Sequence, residues 1–269
     1  MIFAFYGRIR SGKDTAAQLL FHLIWRINQE FTDNPSLSRA QKVLKGDDGM
    51  TELRKVVGHM TDITLESELA HYVTSFPNEF DKQVRVRNRI AQTSRFLKFS
   101  AAIKKIAMVL TACDSWELES PKLKETFIPR GFTKTLREIM IGIGQGLRLS
   151  VSPDVWIAAF TAELESVSPD ANNRGLIRDL IFVTDLRHAN EYDFLNNREA
   201  YIFRVTSDFQ IFKTIEEAEG ILDDFEFDYT LENKKGNLTH LFRQMADIVI
   251  DIAQRNEKFR DKLMFNFTT

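Results

Sequence analysis

The sequence predicts an α/β protein of three layers, with a parallel central sheet between helices and one helical insertion. Two observations predict it. Short apolar runs recur at residues 2–6, 180–187 and 200–205, each too short for a buried helix and each ending in a turn or polar residue, as strands buried on both faces do. Between them lie stretches whose apolar residues repeat at the helical period. Strands alternating with helices imply a parallel sheet covered on both faces.

Taken in order, Ile2 to Tyr6 form a strand that runs into a tight turn at Gly7. From Asp14 to about Asn28 the apolar positions Leu19, Leu20, Leu23, Ile24 and Ile27 describe a helix. Residues 29–95 differ in character: "NPS", "KGDDG" and "FPNEF" punctuate polar helical segments, and no strong strand appears among them. They read as a helical insertion or cap in what is otherwise one domain spanning residues 1–269. In "RFLKFSAAIKKIAMVL" a short strand leads through Ser100 into an amphipathic helix. The helix "FTKTLREIMIGIGQGLRL" follows, then "SPDVWIAAFTAELESV", where Ser152, Pro153 and Asp154 mark a helix start. "LIFVTDLR" and "AYIFRV" are strands, and a helix from Leu238 to Lys262 closes the chain.

Composition narrows the function classes. Hydrophobic residues make up 43% and charged residues 28%, near the averages for folded globular proteins. The 22 phenylalanines read as core filling. A net charge of −2 provides no global field for a nucleic-acid backbone or an anionic membrane, leaving small anionic ligands held by local clusters. Cys113 is alone, which excludes an internal disulfide and a thiolate metal set and fits a reducing cytoplasm. The opening apolar run is short and lacks a basic leader, and no later stretch approaches the ~20 apolar residues of a membrane span. A soluble, cytoplasmic protein is expected.

The motif that carries chemistry is "GRIRSGKDTAA", residues 7–17. Gly7 and Gly12 let the backbone curl so that successive amides, those of Arg10 and Ser11 among them, point at a phosphate, and the following helix adds the positive end of its dipole. Lys13 supplies a mobile cation for the outer phosphates. Asp14 stands where a phosphate loop usually carries Ser or Thr. Mg²⁺ takes hard oxygen ligands, so a carboxylate in the first helical turn can hold the ion directly or through a water, while Thr15 offers a hydroxyl to an inner phosphate. From the residues alone the reading reaches a kinase or hydrolase of the P-loop type using ATP and Mg²⁺.

Here "RSGKDTAA" resembles the phosphate loop of bacteriophage deoxynucleoside monophosphate kinases, P-loop kinases in which Asp follows the lysine. "FSAAIKK" at 99–105, "LREIMIGIGQGLRL" through "VW" at 136–156, "VTDLRHANEYD" at 183–193 and "DYTLENKKGNLTHL" at 228–241 resemble later family stretches in the same order. The region they mark out, leaving aside residues 29–95, covers about two thirds of the chain. Residues 29–95 depart from the family's short members, and animal phosphomevalonate kinases share a similar loop. The resemblance implies a P-loop nucleoside-triphosphate-hydrolase-like fold, ATP-dependent phosphorylation of a deoxynucleoside monophosphate with Mg²⁺, and a homodimer. Two alternatives remain: a kinase of another small phosphate, phosphomevalonate-like or dephospho-coenzyme A-like, and a nucleotide-gated binding module without catalysis.

Phosphoryl transfer asks for alignment and positive charge more than for an acid or base. Asp185 ends an apolar strand, where ligands bind in parallel α/β sheets, and is a second acid for the metal or acceptor. Arg187, two residues on in an extended chain, would face the same side and bridge both phosphates; the alternative is a surface ion pair with Glu191 or Asp193. The resemblance places Asp185, Arg187 and Glu191 on the acceptor motif, Lys104 and Arg137 facing the acceptor phosphate, Gly144 at a close backbone approach, and Trp156 as a stacking surface for the base. By sequence alone Lys104 reads equally as solvated and Trp156 as core. Arg130 and Arg148 are reserve cations. Lys82, Arg85 and Arg89 make a basic helical face, a feature usually solvated. None of the five histidines shows metal-ligand spacing.

Overall fold

In the computed structural model, which describes residues 1–8, 11–33, 47–85, 94–167, 180–208 and 221–264, strands β1 (Ile2–Tyr6), β2 (Ser94–Leu97), β3 (Leu180–Leu186), β4 (Tyr201–Ser207) and β5 (Tyr229–Asn233) form one all-parallel sheet. Their order is β2-β3-β1-β4-β5, and helices flank the sheet. All five residues of β1 are buried, because the strand is central and both its faces are covered. Alternation along β1 sorts its aromatics. Phe3 meets Phe182 at 5.4 Å and Phe259 at 5.9 Å between ring centroids, and Phe21 meets Phe182 edge-on at 6.0 Å. On the opposite face Tyr6 stacks on Phe227 at 5.3 Å. Phenylalanine is therefore the material of both sheet faces, and each buried ring contributes roughly 1.5–3 kcal/mol.

Helix α1 (Lys13–Asp33) buries Leu19, Leu20, Phe21, Leu23, Ile24, Ile27 and Phe31. It runs past the end expected near Asn28 because both Asn28 and Phe31 are buried. The Asn28 amide donates to the carbonyls of Lys262 and Leu263 at 3.2 Å each, capping the last described helical turn. Helices α2 (Asp47–Ile63) and α3 (Glu66–Arg85) occupy most of the stretch expected to be a helical insertion.

Contacts divide the chain into two compact units, Met1–Arg95 with Arg178–Thr269, and Phe96–Ile177. The second holds α4 (Ala101–Thr111), α5 (Ser115–Glu119), α6 (Pro121–Thr126), α7 (Leu136–Ser150) and α8 (Val155–Val167). Local chemistry sets their starts. Ser120 caps α6 by accepting from the Leu123 amide at 3.3 Å, with Pro121 at the first helical position. Thr135 and Glu138 form a capping box that starts α7. Ala107, Cys113, Leu118 and Leu136 form one buried cluster of this unit, so the lone cysteine is a buried free thiol.

In the first unit, α9 (Ala189–Asn196) follows β3, and α10 (Leu238–Arg255) and α11 (Glu257–Met264) end the described chain. The sequence reading expects one helix from Leu238 to Lys262; Asn256 interrupts it. Its amide N–H donates to Ile252 O at 2.8 Å, ending α10, while its side-chain oxygen accepts from the Phe259 amide at 3.0 Å, starting α11. No helix among the described residues is long and apolar enough to cross a membrane.

Candidate functional site

The sheet order creates a place for a ligand. The chain leaving β1 turns toward the β2 side, and the chain leaving β3 crosses to β4 on the other side, so the adjacent ends of β1 and β3 form a topological switch point. Ligands of parallel α/β sheets bind at such points. The loop after β1 is the glycine-rich one.

Close packing defines that loop. Gly12 has φ +91°, and a Cβ there would stand 2.1 Å from Asn233 Nδ2. A Cβ on Gly7 would stand 2.4 Å from Val205 O and 2.5 Å from Ser11 Oγ. Only glycine fits either position. The Ser11 amide donates to Arg8 O at 3.0 Å, closing a turn, and Asn233 Nδ2 donates to Ser11 O at 2.9 Å, fastening the loop to the end of β5. The Lys13 ammonium curls back to donate to Gly7 O at 2.6 Å and Arg8 O at 2.9 Å. The cation therefore sits inside the loop's bend. Ser11 Oγ is buried and has no hydrogen-bond partner among the described residues, and Thr15 is half-buried in the first turn of α1. Arg10 lies outside the described residues.

Arg8 is held at the loop's base. Its guanidinium pairs with Asp223 at 2.9 Å, and Asp223 also accepts from the Tyr6 hydroxyl at 2.9 Å and pairs with Arg204 at 3.3 Å. Burial alone would raise the Asp223 pKa, but the hydrogen bonds from Arg8 and Tyr6 and the charges of Arg8 and Arg204 prevail and lower it. Burial and the same carboxylate push the Tyr6 phenol up to about 12, so it stays a donor at neutral pH.

Asp14, the unusual residue of the motif, is exposed, and its Oδ1 accepts from Thr184 Oγ1 at 2.7 Å. Thr184 precedes Asp185 at the end of β3, where the register with β1 shifts: Ala4 pairs with Val183 but Tyr6 pairs with Leu186. Thr184 and Asp185 thus stand opposite the single residue Phe5, a bulge of the kind that re-aims side chains. The strand ends at Leu186, and Glu191 Oε2 accepts from the amides of Arg187 at 3.0 Å and His188 at 3.2 Å. The bulge and the strand end replace the plain alternation from which Asp185 and Arg187 were assigned one side. Glu191 is buried and acts on the backbone that carries Arg187.

In the second unit, Lys104 pairs with Glu119 and Arg137 with Glu125. Gly144 packs against Ile103, and its carbonyl accepts from Trp156 Nε1 at 3.0 Å. Trp156 is 2% exposed, so of the two sequence readings the structure displays the core one. An indole this enclosed presents no open face for a base, because its ring and its N–H are already engaged. Arg148 donates to Pro153 O at 3.3 Å, and Arg130 is exposed. The side chains of Lys82 and Arg85, and all of Arg89, lie outside the described residues.

The structure thus gathers Gly7, Ser11, Gly12, Lys13, Asp14 and the Asp185 segment at the switch point, and Lys104 and Arg137 within the second unit. Sequence reasoning missed Asn233, Thr184 and Asp223. The first two lie inside quoted stretches, at the ends of strands, and strand-end position was the signal that would have found them. Asp223 carries no such signal. Among the described residues no group of three His, Cys, Asp or Glu side chains could hold a metal by itself. A magnesium ion carried on a polyphosphate needs only one or two carboxylates, and Asp14, exposed in the first turn of α1 and tied to Thr184, fits that requirement. Neither protein-family models nor curated protein sequences match this chain.

Proposed function

We propose that this chain is a P-loop kinase that transfers the γ-phosphoryl group of ATP to a deoxynucleoside monophosphate, yielding the diphosphate. The observation that carries it is the loop at the switch point, packed so that only glycine fits at 7 and 12, with the Lys13 ammonium inside its bend and Asp14 tied to the end of β3. In this reading the loop amides and the N-terminus of α1 bind the donor phosphates. Lys13 exchanges its two carbonyl partners for phosphate oxygens, which strengthens the contact because both partners are then charged. Asp14 and Asp185 would hold a magnesium ion, which would supply charge neutralisation on the triphosphate. Arg187, placed by Glu191, takes the acceptor side. Lys104 and Arg137 bind the acceptor phosphate. The acceptor's identity rests on the family resemblance of the quoted stretches.

A coupled assay with ATP, Mg²⁺ and each of the four deoxynucleoside monophosphates tests this, with diphosphate as the expected product. Turnover restricted to a non-nucleotide phosphate would replace the acceptor, and tight ATP binding without turnover would make the chain a nucleotide-gated module. Lys13→Ala is expected to remove nearly all activity. Arg187→Ala is expected to weaken chiefly the step involving the acceptor.

A further inference from the structure

The place of the Lys13 charge is set at Arg8. The Arg8 carbonyl accepts from the Ser11 amide at 3.0 Å and from the Lys13 ammonium at 2.9 Å, and the Gly7 carbonyl accepts from the same ammonium at 2.6 Å. These two oxygens belong to the peptide groups on either side of the Arg8 Cα. Whatever holds Arg8 therefore also holds the acceptors of Lys13.

Asp223 holds Arg8 from 215 residues away, and its two carboxylate oxygens have separate duties. Oδ1 accepts from the Tyr6 hydroxyl at 2.9 Å and pairs with Arg204 at 3.3 Å, while Oδ2 accepts from Arg8 Nη2 at 2.9 Å. Arg204 also donates to the Asp223 carbonyl at 3.1 Å. Tyr6 and Arg204 stand on the paired strands β1 and β4, and both pack on Phe227, the Tyr6 ring at 5.3 Å and the Arg204 guanidinium at 5.7 Å. One oxygen is thus fastened to the sheet and the other is turned to the loop. The Arg8 side chain is 47% exposed, and an isolated ion pair that open would hold little. A carboxylate oriented by two donors of the sheet offers Arg8 a single arrangement, which makes it a support for the loop.

We propose that Asp223 is a positioning residue: through Arg8 it fixes the two carbonyls that place the Lys13 ammonium in the loop's bend. A displacement of about 1 Å in such a group is enough to cost up to about 100-fold in rate. The inference deepens the kinase reading and rests on it only for the ammonium's target being a phosphate of ATP.

The test starts without a ligand. The full chain is treated with acetic anhydride, and acetylation of Lys13 is followed by mass spectrometry against Lys55, whose side chain is 68% exposed. An ammonium that donates to two carbonyls must leave both and lose a proton before its nitrogen can attack. Arg8→Met and Asp223→Asn are each expected to speed Lys13 acetylation about 3- to 10-fold with Lys55 unchanged. The double variant should add nothing further, because both changes remove the same link. Arg8→Lys, which keeps a cation facing Asp223, should recover most of the protection. Mg·ATP affinity, read by calorimetry, is expected to fall about 5- to 10-fold in Arg8→Met and Asp223→Asn, while the acceptor KM at saturating ATP stays unchanged. Wild-type labelling of Lys13 in the single variants, an equal rise at Lys55, additive effects in the double variant, or unchanged Mg·ATP affinity where the wild type binds it overturns the inference. Arg8→Met leaves Asp223 its Tyr6 and Arg204 donors, so this variant decides the matter even if Asp223→Asn does not fold. If Lys13 labelling responds as expected and the wild type does not bind Mg·ATP, the kinase reading fails and the positioning role stands. If diphosphate forms and Lys13 labelling is unmoved, the kinase reading stands and the positioning role fails.

Discussion

Gly12 and Asn233 make the glycine-rich loop a single packed object. Gly12→Ala would place a methyl 2.1 Å from Asn233 Nδ2 at a φ of +91°. We expect a loss of roughly 1–3 kcal/mol in urea unfolding and a large loss of ATP affinity. Asn233→Ala leaves Ser11 O without its donor and should destabilise by about 1 kcal/mol. The double variant should lose less than the sum, because the clash is then absent and only the φ strain remains. His22 shows the opposite situation, a group kept uncharged. Burial first, then the charge of Arg26, lowers its pKa from an ordinary 6.5 to about 3. The unfolded chain binds this proton below pH 6.5 and the folded chain does not, so stability falls as pH drops from 6.5 toward 3. His22→Leu should flatten that part of the curve, read as urea midpoints at pH 7 and pH 4.5. An unchanged slope would mean that His22 is protonated in the fold.

At the scale of elements, Glu66 joins the region before β2 to the closing helix. Its carboxylate accepts from the Leu238 amide at 2.6 Å, the Thr239 amide at 2.7 Å and the Thr239 hydroxyl at 2.6 Å, serving as a cap for α10 from a distant helix. Burial alone would raise its pKa, but these three donors outweigh it and lower the value. The contribution is therefore present above the ordinary carboxylate range and lost as pH falls through the folded value. Glu66→Gln should cost about 1 kcal/mol at pH 7, and its difference from the wild type should shrink on acidification, measured by urea unfolding at both pH values. The elements themselves were largely legible. Strand β1 was expected and is observed over the same residues, and the strand expected at 180–187 ends one residue earlier, at Leu186. Those strands announce themselves because burial on both faces demands continuous apolar runs. The break at Asn256 was not legible, since the apolar period runs through it and only a two-sided cap reveals it. Nor was the bulge at Thr184 and Asp185, which exists only relative to the partner strand.

At the scale of the molecule, a ligand that binds the native loop must stabilise the whole of the unit that carries it. At 100 times its dissociation constant, Mg·ATP should add about 2.7 kcal/mol, seen as a rise in the thermal midpoint that Lys13→Ala abolishes. A rise that survives Lys13→Ala would move the nucleotide away from this loop. Two compact units, where the sequence suggested one domain, also divide the candidate residues: the loop and the Asp185 segment belong to one, Lys104 and Arg137 to the other. The sequence by itself determined the strand cores, the glycine-rich turn and the positions of Lys13 and Asp14, because these follow from local periodicity and from backbone freedom at particular residues. Only the tertiary structure decided that Asn233 fastens the loop, that Thr184 holds Asp14 and that Trp156 is enclosed. Each of those depends on residues far apart in the chain, or on burial, and no short-range pattern encodes either.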